Sequence, residues 1–293
     1  MKKATTIEEQ INLLESRGIE ITDKDKAKEI LEDIGYFRLG FYIFPFEKTY
    51  PNKSNRNHEV IQGTAFEDIV KLYYFDFDLR IILNRYILRV EIAFRTYLTY
   101  YMSINYKEDP KWFINKEIID EKYTSKFKEK VYTESFKNNE VIKNHKKKHK
   151  EEYAPAWKTL EFMTLGSIIK LYNSILDKKD KQEISKKFGI NKPKVFSSYL
   201  EAIRTLRNGC AHGTVLYDLK LPKGIDGKGP KLGLRNTDYQ NLNGTLIVLH
   251  FILNKISKNR ADEMKNNLEN LYKGIKQEPK VWNVIKKCSG INY

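Results

Sequence analysis

Between Thr64 and Asn105 the chain contains neither glycine nor proline. Nothing else in the sequence restricts the fold as strongly. A stretch free of helix breakers, with apolar residues recurring at steps of three and four, forms one long helix or two in near-continuity. Thr64-Ala-Phe-Glu67 has the pattern of a capping box and opens it. Phe66, Ile69, Val70, Tyr73, Phe77, Ile81, Leu88, Ile92, Phe94 and Leu98 supply more apolar surface than one stripe needs. The spacing therefore predicts a central helix, packed on at least two sides.

Helix signals recur elsewhere. Thr6-Ile-Glu-Glu9 is a second capping box, followed by Ile7, Ile11 and Leu14 and a stop at Arg17-Gly18. Thr22 to Asp25 can cap a short helix carrying Ala27, Ile30, Leu31 and Ile34. Tyr36 to Pro45 is aromatic and uncharged except for Arg38, which suits a buried helix or a strand. Residues 50–63 have the composition of a loop. From Asp109 to Tyr153 the chain is charged, with Trp112, Phe113, Tyr123, Phe127, Tyr132 and Phe136 as anchors, and a peripheral helical insertion is expected. A helix from Pro155 to Leu176 follows, with Gly166 inside it as a close-contact point. After a short helix ending at Lys186 to Gly189, Pro193 sits in the first turn of another whose stripe is Val195, Phe196, Tyr199, Leu200, Ile203 and Leu206. An irregular segment, 216–244, with room for a small hairpin, leads to closing helices over 245–255 and 261–275. Alternation of strand period is nearly absent, so the fold class is all-α.

Charge and cysteine content narrow the function classes. Lys plus Arg number 53 against 38 Asp plus Glu, a formal charge of +15. Such a balance favours a polyanionic partner, nucleic acid first, although a lysine-rich genome of low GC content has the same effect. Cys210 and Cys288 are too few for a disulfide framework, and no Cys-x-x-Cys pair exists, which suits a reducing cytosol. The longest uncharged stretch, Tyr239 to Asn254, is too short and polar for a bilayer. The first twenty residues lack the apolar core of a secretory signal. A cytoplasmic protein with no membrane partner is expected.

The helix predicted after Pro193 runs into Arg207-Asn-Gly-Cys-Ala-His212. Arginine is a permanent planar cation suited to phosphate oxygens, and histidine exchanges a proton near neutral pH. Together they can cleave RNA without a metal: a ribose 2′-OH attacks the adjacent phosphorus, His212 moves the proton, and Arg207 offsets charge on the phosphate. DNA lacks the hydroxyl. In an ideal helix five residues turn through ~500°, so Arg207 and His212 lie about 140° apart. Either Gly209 kinks the helix to bring them together, or a second copy supplies the partner group. Asn208 can orient either residue. The structural alternative pairs Arg207 with Glu201 or Glu161, lets His212 cap the last carbonyls and leaves Cys210 and Ala211 in the core.

Phe196 to His212, followed by Val215-Leu-Tyr217, resembles the signature of the Abi-like proteins, the AbiD/AbiF group of bacterial abortive-infection proteins, whose hallmark is an Arg-Asn-x-Cys-Ala-His core. Ile34 to Tyr42, Leu72 to Arg80 with Val90 to Arg95, and Pro155 to Trp157 with Leu165 to Tyr172 agree in order and spacing. The resemblance implies a HEPN-type helical bundle. It also implies a metal-independent endoribonuclease of phage-defence or toxin type, commonly assembled as a homodimer, with Arg207 and His212 catalytic and Asn208 supporting. One domain is expected over 1–293: an N-terminal helical region (1–60), the central helix (64–105), the charged insertion (109–153) and the motif-bearing helices (155–293).

Other residues carry two readings. Asp76 with Arg80, Arg85 with Arg89 and Glu91 with Arg95 stand four apart, as in intrahelical pairs on a solvated face. Alternatively Arg80, Arg85 and Arg89 form a ridge that grips RNA phosphates, joined by Arg204. Lys146, Lys147 and Lys148, within the run from Lys143 to Lys150, form a solvated turn or a backbone-gripping patch. His145 and His149 have metal-compatible spacing but no third ligand nearby. Tyr36, Phe37, Phe41, Tyr42 and Phe44 suit the core better than base stacking. No metal or cofactor is expected. RNA is the expected partner, as substrate and as a small noncoding regulator, with an antitoxin as a further candidate. The rival function is a non-catalytic RNA-binding module that holds a noncoding RNA or recruits a partner.

Overall fold

Polar side chains at helix starts set most of the element boundaries. In the computed structural model, which describes residues 3–292, the N-terminal capping box forms as expected. Thr6 accepts from the Glu9 amide, and Glu9 reaches back to the Thr6 amide. The helices are α1 (Ile7–Ser16), α2 (Lys24–Asp33), α3 (Tyr36–Ile43), α4 (Phe66–Asn105), α5 (Glu121–Lys130), α6 (Glu134–Lys137) and α7 (Glu140–Lys148). They continue as α8 (Ala156–Thr159), α9 (Leu165–Ser174), α10 (Lys178–Lys187), α11 (Pro193–His212), α12 (Leu242–Ile256), α13 (Lys258–Ile275) and α14 (Pro279–Ser289). Among the described residues there are no strands, only isolated bridges such as Glu20 with Ala65 and Lys220 with Asn241. The fold is all-α.

Several boundaries differ from the sequence expectation, each for a local reason. Within the expected run Thr22 to Asp25, it is Asp23 that caps α2, accepting from the Lys26 amide at 2.8 Å. Thr64 donates its hydroxyl to the Ile61 carbonyl at 2.6 Å, closing the preceding turn. The cap of α4 therefore shifts to Ala65, whose amide is taken by Asp68. The helix expected from Pro155 to Leu176 is broken at Met163, because Thr164 caps a new start at the Ser167 amide. Gly166 inside α9 lies against α11, where a Cβ would sit 3.3 Å from the Arg204 side chain. The last helix, α14, was not among the expected elements, although Val281, Trp282, Ile285 and Cys288 recur at helical spacing and Pro279 in its first turn is a start signal.

A single uninterrupted helix, α4 is about 60 Å long at 1.5 Å per residue. It packs on α3, on α8 to α11 and on α12 to α14, the central position expected of it. Leu72, Leu79, Leu83, Tyr86, Ile87, Val90, Phe94 and Leu98 are fully buried along it. The predicted apolar stripe is only half right. Phe66, Ile69 and Val70 are buried, but Phe77 (42%), Ile81 (58%), Leu88 (43%) and Ile92 (44%) are exposed together with Tyr74. These residues repeat at helical spacing and form a second apolar face that no element among the described residues covers. A helix apolar on several sides shows by its spacing that faces exist. Which of them is covered depends on the neighbouring helices.

In the charged insertion, an aromatic cluster of Phe113, Phe127, Tyr132 and Tyr153 pins α5, and Tyr132 also meets Phe136 of α6 and Lys146 of α7.

Candidate functional site

The motif helix α11 does not kink at Gly209. It is helical from Pro193 to His212 and stops at Gly213, which takes the left-handed conformation at φ 66°. Gly209 serves a different purpose. A Cβ there would lie 2.8 Å from Leu216 and 3.2 Å from Thr214, so the glycine lets the returning chain lie directly on the helix. With the helix intact, Arg207 and His212 remain about 140° apart around its axis.

Arg207 turns toward α4. Its Nε lies 3.6 Å from Oε2 of Glu91, a buried carboxylate, and the arginine side chain keeps 32% of its exposure. Glu91 also accepts from Arg95 Nη2 at 2.8 Å, and the same Nη2 donates to the Met163 carbonyl at 3.0 Å. Neither Glu201 nor Glu161 pairs with Arg207: Glu201 binds Arg204 at 2.6 Å, and Glu161 approaches Arg95 at 4.0 Å. Asn208 is half-buried, and His212 is exposed at the end of the helix. Just past the helix, the carbonyl of Gly213 is taken by Arg38 rather than by His212.

Beyond His212 the chain is clamped by α3 and α4. Asp76, fully buried, accepts from the amides of Leu216 (2.9 Å) and Tyr217 (2.7 Å) through Oδ1. Its Oδ2 accepts from the Tyr42 hydroxyl (3.0 Å) and from Arg80 (2.9 Å). Arg80 donates in turn to the Thr214 carbonyl, and Tyr217 to the Phe41 carbonyl. Burial pushes the Asp76 carboxyl up to about 6, against the opposing pull of these donors and of Arg80. Burial also raises the Cys210 thiol to about 12, which makes it a core residue rather than a nucleophile.

Two concavities flank α11. The first, ≈ 620 Å³, opens beside His212 and is lined by Phe37, Phe41, Arg38, Lys53 and Arg56. Phe37 (82% exposed) and Phe41 are therefore not core residues, in contrast to Tyr42 and Phe44. The second, ≈ 1010 Å³, lies along the N-terminal half of α11 and gathers Lys178, Lys181, Lys192, Lys194, Lys223 and Arg204. Arg204 is the one predicted RNA-binding residue that lines either.

The expected arginine ridge divides. Arg80 is consumed by Asp76 and Thr214. Arg85 pairs with Glu263 at 2.8 Å, and Arg89 is exposed. Lys146 lies over the Tyr132 ring, and Lys147 and Lys148 are exposed in the last turn of α7, which packs on α6 and α8. His145 is buried and stacked on His149 at 4.3 Å, and burial lowers its pKa.

The stretches that carry the resemblance thus meet along α11: Arg38 and Tyr42 from the first, Asp76, Arg80, Glu91 and Arg95 from the second, and Gly166, against Arg204, from the third. A family model described as Abi-like protein matches residues 29–218. The chain belongs to the Abi-like protein family. This Abi-like chain is thereby linked to abortive infection. No curated protein and no solved structure matches it. Sequence reasoning gave Arg38 no role, and it paired Asp76 with Arg80 and Glu91 with Arg95 on a solvated face, whereas both pairs form with buried carboxylates that also hold residues of the motif region. The signal for Arg38, Asp76 and Glu91 was membership of the resembling stretches. No helix among the described residues is long and apolar enough to cross a membrane.

Proposed function

We propose that this Abi-like chain is a HEPN-type endoribonuclease of phage defence, cleaving RNA without a metal. The observation that carries the reading is the pair of motif side chains left accessible at the end of α11, Arg207 held by Glu91 and His212 exposed beside a basic, aromatic cavity. The 2′-oxygen bonds to phosphorus as the bond to the 5′-oxygen breaks. His212 accepts the 2′ proton and a proton returns to the leaving 5′-oxygen, giving a 2′,3′-cyclic phosphate and a 5′-hydroxyl. Arg207 neutralises charge on the non-bridging oxygens. Asn208, between them in sequence, orients the phosphate.

An unbroken α11 favours a site completed by two copies. The uncovered face of α4 supports this reading, because Leu88 and Ile92 flank Glu91, the carboxylate that positions Arg207. A homodimer through this face brings two motif helices near each other. The lysine-lined groove along α11 suits the RNA backbone by charge.

The test incubates labelled RNA with the protein, Arg207→Ala and His212→Ala in EDTA. Cleavage with cyclic phosphate ends by the unmodified protein alone is the expected result. Full cleavage by both variants overturns the assignment. A second reading, a non-catalytic binder of a noncoding RNA, is favoured by the lysine groove and by the separation of Arg207 from His212 in one copy. It predicts retained RNA of unchanged length. Restraint by an antitoxin or a small RNA is compatible with either.

A further inference from the structure

We propose that the cavity beside His212 is a receptor for one unpaired nucleobase of an RNA strand, stacked on Phe37 and Phe41 with its phosphate toward Lys53. The inference rests on the reading of the chain as an RNA-acting protein and adds to it where the strand is held. Phe37 is 82% exposed and Phe41 45%, one turn apart on α3, with their rings edge to face at 5.4 Å. An aromatic side chain left this open in water costs free energy unless a partner covers it. Phe44 forms the buried floor, and the Arg56 guanidinium lies 4.5 Å above its ring.

The charge of the rim chooses the occupant. Arg38, Lys53, Arg56 and His212 border the cavity, against the single carboxylate Asp218, which Lys220 approaches at 3.1 Å. Arg38 and Arg56 are engaged with Gly213 and Glu47, while Lys53 is exposed and has no ion-pair partner among the described residues. An apolar peptide would satisfy the rings and leave Lys53 without a partner. A nucleotide satisfies both, since it carries a flat π-face and an anion. The volume of ≈ 620 Å³ falls within the usual range for small-molecule sites. Duplex RNA is excluded, because its bases are already stacked. Recognition by stacking tolerates every base and favours the larger rings, so purines are held more tightly than pyrimidines. Since the cavity opens beside His212, the base it takes neighbours the phosphate that would react.

The test uses short 2′-O-methyl oligoadenylate and oligouridylate, whose blocked 2′-oxygens allow binding to be read without cleavage. Affinity is measured by anisotropy, and ultraviolet crosslinks are mapped by mass spectrometry for the full chain, Phe37→Ala and Phe37→Trp. Expected are a crosslink at Phe37 or Phe41, tighter binding of oligoadenylate, and a loss of about tenfold in Phe37→Ala that Phe37→Trp restores. Equal affinity of the unmodified protein and Phe37→Ala overturns the receptor, whatever the unmodified protein does to RNA in EDTA. Phe37-dependent binding by a protein that never cleaves supports the receptor and overturns the ribonuclease. A loss of affinity that merely follows dissociation of a dimer in sedimentation shows that Phe37 is an interface between copies, and overturns the receptor as well.

Discussion

Arg207 and Glu91 form an ion pair, Nε to Oε2 at 3.6 Å, that ties the motif arginine to the middle of the central helix. Glu91 is buried and shared with Arg95, which is buried as well. Two guanidiniums thus depend on one carboxylate, and the orientation of Arg207 is set from α4 rather than from its own helix.

Replacing Glu91 by Gln leaves buried Arg95 with only the distant Glu161 carboxylate, at 4.0 Å, as a counterion. Unfolding in denaturant should show a loss of about 3–5 kcal/mol. At a temperature where the variant is still folded, RNA cleavage should fall by more than RNA affinity. An unchanged unfolding midpoint would remove Glu91 from this role.

Asp76 provides a pH signature. Its carboxyl titrates at about 6 when folded against 3.8 when free. Between those values the folded protein binds more protons than the unfolded chain. The contribution of this group to stability is therefore fully present below pH 3.8 and is lost as pH rises through about 6. Asp76→Asn should flatten that part of the stability curve, as urea unfolding across a pH series would reveal. A slope identical in both proteins would contradict it.

Two glycines in helices should respond oppositely to alanine. At Gly209 a Cβ meets fully buried Leu216 at 2.8 Å, so Gly209→Ala should destabilise by about 1–3 kcal/mol. At Gly40 no atom lies within 4 Å, and Gly40→Ala should stabilise by about 0.5–1 kcal/mol. Thermal melts of the two variants provide the comparison.

Charge reversal of Lys192, Lys194 and Lys223 should weaken RNA binding and reduce the steepness of its salt dependence by roughly two to three. Binding isotherms over a range of salt concentrations measure this directly. If the slope is unaltered, the groove is not the RNA path.

Arginine at Ile81 and Leu88, both exposed, should leave the fold intact. Sedimentation should show a dimer for the unmodified protein and a monomer for the variant, and cleavage should fall with it. A dimer that persists in the variant assigns the interface elsewhere.

Helix content, the central helix, the Thr6 cap and the start of α11 at Pro193 were legible in the sequence, because they depend on neighbours within about four residues. The motif was legible for the same reason: Arg207 and His212 stand close together in the chain. What the sequence could not reveal is which side chains surround them. Tertiary packing alone decided that Arg207 faces Glu91, that Asp76 clamps Leu216 and Tyr217, that Phe37 stays in water, and that Phe77, Ile81, Leu88 and Ile92 are uncovered. Spacing records the direction of a side chain around its own helix, whereas burial and pairing depend on the helices that come to lie alongside, many residues away in the chain.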